Sequence, residues 1–513
     1  MARLAVPGWR RLLSDPRFLL TGIVAIGLTL RLVYLLHVYP FVDEYYSMLA
    51  VKMILTKGLP VMPSGLFYTH GLPYSYLGAL FTGLFGFSQA MARLPSLLVS
   101  VATIPLLYQV GRRWFSPRAG LLAALMLALS PEAIEWGGRA RMYALWQFCT
   151  LAAVYLLYQG LLRNGPTGTR VGGLLALAGA FLCHLRALLI VPPLVGGLTV
   201  AYIAGRRREE LRLWRPRRFP WAELLALIAA LASPLLFWAF DRPGAIASPD
   251  QINLKDWLNP IRAAADILIG AQQFVIMPYL ILTVFALAGI LALCFRSTKR
   301  QLGPHDPSLI FLYIVGLGTM VEFSLVSPPI VRVPRYVFDI LPLYFLIVAR
   351  ELDFMTARIQ GPARGKLQVA VGLLPFLFIT ALFARPALAT TATQHFGSQL
   401  ALQYVGDHWQ EGDRIATHLT ATAYLEAGRC DYFVALENPF VWQTPNGTID
   451  PHLGLPWIGT EAGLREIVTE NSRLWLLVEK RYAKRFEEAL GAQAQLVFDG
   501  WDVNLYLAQR GER

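Results

Sequence analysis

Apolar residues along this chain come in runs of about 20, set apart by short polar segments, from Phe18 to Phe383. A helix of that length crosses a hydrocarbon core of about 30 Å. The pattern predicts spans at 18–39, 94–111, 119–135, 142–162, 171–185, 187–204, 220–240, 273–295, 309–326, 337–353 and 367–384. Past about residue 390 the period changes. "RIATHL", "TAYLEAG", "TEAGLREIVTE", "RLWLLVE", "YAKRFEEALG", "LVFDG" and "VNLYLA" read as short strands alternating with helices. The expected fold is therefore a polytopic α-helical membrane protein with about 11 transmembrane helices and outer juxtamembrane helices. A small C-terminal extracytoplasmic α/β domain follows, the boundary falling between 1–388 and 389–513.

One segment tests the topology. "YTHGLPYSYLGALFTGLFG" (68–86) is apolar enough to be counted as a span, but counting it puts the basic linker "GRRWFSPR" (111–118) outside. Treated as a juxtamembrane or re-entrant helix within an outer loop at 40–93, it restores order. The linkers with Arg112, Arg113 and Arg118, with Arg163 and Arg170, at 206–218, with Arg296, Lys299 and Arg300, and at 350–366 then all share the side of the basic N-terminus. By the positive-inside bias that side is the cytoplasm, and the C-terminal domain is extracytoplasmic. The protein is expected in the inner or plasma membrane. Its first run is long and lacks a small-x-small cleavage site, so it reads as a retained span.

Composition agrees: 55% of the 513 residues are hydrophobic and 15% charged, where a soluble chain carries about a quarter. The net charge of +13 does not imply a nucleic-acid partner, because the basic residues lie in the inner linkers. Cys149, Cys183 and Cys294 lie in or beside apolar runs and Cys430 stands alone in the tail, so no disulfide framework or zinc motif is present. "NGT" (446–448) fits a glycosylation sequon, a triplet too frequent to carry weight.

The chemistry lies in charges that oppose these trends. "YPFVDEYYSML" sets Asp43 beside Glu44 just outside the first span, where two adjacent acids each disfavour the other's ionisation. Arg139 and Arg141 in "GGRARMYAL", Arg332 and Arg335 in "RVPRYVFDILP", and His184 with Arg186 all sit at outer helix ends. Arg31 lies nearer the outer end of its span, toward which it can snorkel, and Glu322 is close to another outer end. Lipid-phosphate anchors would account for the arginines but not for the acids. A converging site accounts for both signs: guanidinium forks bind a phosphate, and a nearby carboxylate takes a proton from an incoming hydroxyl. That set suits transfer of a sugar from a polyprenyl phosphate, with negative charge growing on the departing phosphate. Asp43 is the expected general base, supported or replaced by Glu44. The rival reading is a multi-spanning transporter or flippase for a glycolipid or anionic lipid. Transporters place their charges at the midplane of repeated halves, which this chain does not do.

The acidic pair, His70 before the Pro-containing juxtamembrane segment, "ARLPSLLVSVATIPLLYQVGRRWFSPRAGLLAALMLALSP", "RARMYAL" and "PRYVFDILP" together resemble the ArnT/PMT-like glycosyltransferases of the GT-C class. That family includes bacterial lipid A aminoarabinose transferases and protein O-mannosyltransferases. The resemblance implies a GT-C fold and hexosyl or pentosyl transfer from a polyprenyl-phosphate donor, with inversion, to a lipid, glycan or protein acceptor. It places Asp43 where the family's catalytic acid lies. Arg139, Arg141 and Tyr143 fall on an R-x-R-x-Y run, and Arg335 and Tyr336 on an RY near the lipid phosphate. Arg186 falls where members carry a phosphate-facing Lys. Arg332 joins the pocket. His70 matches a His that ordinarily precedes two prolines, but here Gly71 and Leu72 intervene before Pro73. Some members hold a divalent metal. His70 and Glu44 are the candidate ligands here, and two ligands do not make a site, so none is expected.

Overall fold

The computed structural model describes residues 15–206, 211–215, 219–240, 276–299, 301–326, 334–360, 366–392, 397–436 and 441–509. In chain order its membrane half consists of α1 (Pro16–His37), α2 (Val42–Lys57), α3 (Leu72–Phe85), α4 (Gln89–Trp114), α5 (Pro117–Leu129), α6 (Pro131–Gly138), α7 (Tyr143–Leu162), α8 (Thr167–Cys183), α9 (Val191–Gly205), α10 (Trp221–Phe240), α11 (Ile276–Thr298), α12 (Asp306–Val326), α13 (Leu341–Gln360) and α14 (Lys366–Thr390). Short 3₁₀ turns at Leu185–Ile190 and Pro334–Ile340 lead into α9 and α13. The outer segment expected over 241–272 and the residue Arg332 lie outside the described residues.

Each expected span is occupied by helix, yet only seven described helices are long and apolar enough to cross a membrane alone: α1, α4, α7, α9 with its lead-in turn, α11, α12 and α14. The others fall short for physical reasons. α5 and α6 are long and apolar enough only when taken together, and the pair is bent by 60° at Ser130. α8 has 17 residues, and α10 runs over 20 residues with Pro234 inside it. α13 carries Arg350, Glu351, Asp353 and Arg358. This is a multi-pass membrane protein. The segment at 68–86 forms α3, whose 14 residues reach only about 21 Å and cannot cross. It lies against α2 so closely that a Cβ on Gly78 would come within 2.7 Å of Val51.

The break at Ser130 explains Arg31. A helix leaves its last carbonyls without intrahelical donors, and in lipid no water replaces them. Arg31 Nη2 donates to Leu127 O (3.0 Å) and Nη1 to Ala128 O (3.2 Å), while Nε donates to Ser100 Oγ (2.7 Å). Expected to snorkel outward, Arg31 is instead fully buried. It caps α5 from α1, because these acceptors and Gly27 O (3.0 Å) converge on it inside the bundle.

The tail contains α15 (Gly397–Asp407), β1 (Arg414–Thr417), α16 (Thr420–Glu426), β2 (Tyr432–Val434), β3 (Trp442–Thr444), β4 (Gly447–Ile449), β5 (Trp457–Ile458), α17 (Glu461–Glu470), β6 (Arg473–Glu479), α18 (Lys480–Leu490), β7 (Ala494–Asp499) and β8 (Val503–Gln509). Six strands form one sheet in the order β5-β2-β1-β6-β8-β7, parallel from β5 to β6 and antiparallel beyond. The period-2 alternation of "RLWLLVE" divides the core. Leu474, Leu476 and Val478 pack with α17 and α18, and Trp475 and Leu477 with α15 and α16. The domain rests on α2 through α16: Tyr45 Oη donates to Glu426 Oε1 (2.7 Å), Lys52 lies 4.7 Å over the Tyr424 ring, and Ala421 joins the membrane-half core.

Arg31→Leu should leave two buried carbonyls and one hydroxyl without donors, at about 1–3 kcal/mol each. Thermal unfolding of the purified protein should show a clear loss of Tm; an unchanged Tm would remove Arg31 as the cap of α5.

Candidate active site

α2 begins four residues after α1 ends, and Asp43 and Glu44 both lie in its first turn, where the helix dipole favours acids. Neighbouring residues on a helix point about 100° apart. Adjacency therefore separates the two acids rather than joining them. Glu44 turns inward and is fully buried: Arg93 donates from Nε to Oε2 and from Nη2 to Oε1 (2.8 Å each). The amides of Phe41 (2.9 Å) and Ala140 (2.7 Å) complete its shell. Burial works against its ionisation. The Arg93 pair, then Arg139 and the Ala140 amide, nevertheless hold it below the usual carboxylate range. Arg93 Nη1 also donates to Leu35 O (3.1 Å) and Val38 O (2.6 Å) at the end of α1. The expectation that Glu44 supports or replaces Asp43 as a base gives way to a structural role, since both its oxygens are enclosed.

Asp43 turns outward. Its Oδ2 accepts from Arg335 Nη1 (3.1 Å) and lies 3.8 Å from Arg141 Nη2. Arg141 is buried, and its Nη1 reaches Asp43 O, Ser47 Oγ and Tyr68 Oη at 3.0 Å each. The Nε atoms of Arg141 and Arg335 are buried with no acceptor among the described residues. Two guanidiniums thus converge on one carboxylate and leave an excess of positive charge beside it.

Arg335 and Arg186 flank the Tyr336 ring, 5.2 and 4.1 Å from its centroid. Behind it an aromatic wall runs through His184, 5.3 Å from Tyr336 and stacked on Trp146 at 4.8 Å, to Tyr143 and Trp136. His184 Nδ1 accepts from the Arg186 amide (3.2 Å) and so sets the turn that presents Arg186. Arg139 is placed elsewhere than expected. It pairs with Glu135 (2.6 Å), donates to Tyr34 Oη (3.0 Å) and lies between the Phe41 and Trp136 rings, 4.7 Å from each. A Cβ on Gly138 would fall 2.2 Å from Tyr34, so this packing requires glycine there. Arg139 is thus consumed in holding the site's edge.

On its other side Asp43 opens into a cavity of about 370 Å³. Tyr46, Tyr68, His70 and Arg141 line it from the membrane half, and His418, Phe433, Asp450, His452, Arg481 and Tyr482 from the sheet domain. Arg335, Arg186, Tyr143 and Tyr336 are not on its wall. The His70 ring is exposed on the cavity wall, 5.7 Å from the Tyr68 ring. His70 and Glu44 do not fit a metal: Glu44 is enclosed by its donors, and no three His, Cys, Asp or Glu side chains among the described residues are grouped to hold an ion.

Arg93 was not legible as a site residue, because its partner stands 49 positions earlier. Breaking a buried pair by removing one member costs about 3–5 kcal/mol. Arg93→Met should therefore destabilise the protein strongly, and Arg93→Met with Glu44→Met should recover part of the loss. Unfolding midpoints check this; a harmless Arg93→Met would deny the pair its structural role.

Residues 69–238 match the family described as dolichyl-phosphate-mannose-protein mannosyltransferase, a third of the chain. No curated protein matches in sequence. Among solved structures, ArnT from Cupriavidus metallidurans bound to undecaprenyl phosphate superposes with a TM-score of 0.63 at 14% identity, covering 98% of each chain. The same protein in the apo state gives 0.62 at 13% identity, over 96% of this chain and 99% of that one. The oligosaccharyltransferase AglB from Archaeoglobus fulgidus, in complex with an inhibitory peptide and a dolichol-phosphate, gives 0.54 at 14% identity over 91% of this chain and 70% of that one. With its helical bundle, outer acidic turn and C-terminal sheet domain, the chain shares the fold of ArnT, and its residues 69–238 match the mannosyltransferase family.

Proposed function

We propose that this protein is an integral-membrane glycosyltransferase that moves a sugar from a polyprenyl-phosphate-linked donor to an acceptor hydroxyl on the extracytoplasmic face. Residues 1–388 form the catalytic membrane domain and 389–513 an extracytoplasmic domain, with the N-terminus cytoplasmic. The carrying observation is the position of Asp43, gripped by Arg335 on one side and open to the cavity on the other. ArnT holding undecaprenyl phosphate and AglB holding a dolichol-phosphate support a lipid phosphate as the donor's anchor.

The phosphate is held by the guanidiniums of Arg335 and Arg141, with Arg186 beside Tyr336 as the third cation. Once Arg335 turns to the phosphate, an oxygen of Asp43 is free to accept the acceptor's hydroxyl hydrogen. The acceptor oxygen bonds to the anomeric carbon, the bond from that carbon to the phosphate oxygen breaks, and Asp43 takes the proton. The charge left on polyprenyl phosphate meets guanidiniums already in place, which is where such sites gain most. Arg139 and Glu44 hold the geometry and take no part in the transfer.

Asp43→Asn should slow release of polyprenyl phosphate from a labelled lipid-linked sugar by at least ~100-fold, the scale of a lost general base, while donor binding survives. A near wild-type rate would remove Asp43 from that role, and an intact glycosidic bond under all conditions would favour a transporter. Arg335→Ala should weaken donor affinity by about 1.5–3 kcal/mol, roughly ten- to a hundred-fold. Unchanged affinity in a direct binding measurement would move the phosphate elsewhere.

A further inference from the structure

The parallel part of the sheet changes direction at β1. From β1 the chain steps outward to β2 and β5, then β6 returns to pair on the other flank of β1. The helices that follow part accordingly. α16, after β1, packs on the Trp475 and Leu477 face, and α18, after β6, on the Leu474 and Leu476 face. In open α/β sheets this divergence leaves a crevice beyond the carboxyl ends of the strands, and ligands bind there. Here His418 follows β1, Ala435 follows β2, and Arg481 and Tyr482 follow β6; all of them line the cavity that contains Asp43. The crevice thus faces the outer loop of the membrane half, which supplies its other wall.

The wall's chemistry narrows the ligand. The wall carries Asp43 and Asp450 against Arg141, Arg481 and Arg485, and each guanidinium faces an acid: Arg141 faces Asp43, Arg481 faces Glu479 behind the wall, and Arg485 faces Glu461 at 3.9 Å. Glu479 Oε2 lies 3.1 Å from His418 Nε2 and accepts from Arg481 Nε at 2.7 Å. Tyr46 and His452 stack at 4.0 Å and present an apolar plate beside these groups. Mixed donors and acceptors next to flat aromatic surface suit a group whose hydroxyls both donate and accept and whose C–H faces are apolar. We infer that the switch-point crevice of the C-terminal sheet binds a sugar ring of the acceptor, making the acceptor a glycan or glycolipid. This rests on the reading of Asp43 as the base, because the cavity reaches Asp43 but not Arg335 or Arg186.

The test is saturation-transfer NMR on the full-length protein in nanodiscs, using neutral methyl glycosides and a Ser/Thr-containing hexapeptide as probes. Transfer to the glycosides is expected, falling at least five-fold in Arg481→Ala and in His418→Ala. The Arg481 side chain is 68% exposed, so its removal leaves the core intact. Undecaprenyl-phosphate-linked glucose should leave the glycoside signal in place; displacement would assign the crevice to the donor's sugar and overturn the inference. Transfer to the peptide alone, or glycoside signals equal in wild type and both variants, would overturn it too. Because the readout needs no turnover, glycoside binding alongside an active Asp43→Asn would sink the base assignment and spare the crevice.

Discussion

The arrangement depends on one buried ion pair. Neither Glu44 nor Arg93 has solvent to fall back on, so each must find all its partners in the protein. In doing so they tie together the end of α1, the start of α2, α4 and the turn at Ala140. Four segments distant in sequence are fixed at one level of the bundle. Asp43 inherits its place from this, one residue away and pointing the other way.

Around Asp43 the structure keeps two kinds of surface apart. On one side, cations are held against aromatic rings, where a guanidinium keeps its charge and its in-plane donors while shedding water. On the other side, acids, arginines, imidazoles and aromatic rings share one wall. Such a division suits a reaction in which one partner is anionic and lipid-bound and the other arrives from the aqueous face.

The broad architecture was legible because membrane spans announce themselves by length and apolarity. The short α3 was recognisable because treating it as a span would have put arginines on the wrong side. The convergence of Arg141 and Arg335 on Asp43 was legible for the same reason, as positive charge where the orientation bias forbids it. Arg93 and Arg31 were not, since each answers to acceptors that only packing brings near. Arg139 looked equivalent to Arg141 because spacing cannot tell which of two arginines meets Glu135. The cavity's far wall depended on strand order, a long-range property, although "RIATHL" and "RLWLLVE" did mark the strands whose ends build it.

The contact between α16 and α2 carries a mechanical corollary. Glu426 grips Tyr45, two residues from Asp43, on a helix whose base is locked by Arg93. A torque on the sheet domain would therefore act about half a helical turn from the Asp43 carboxylate.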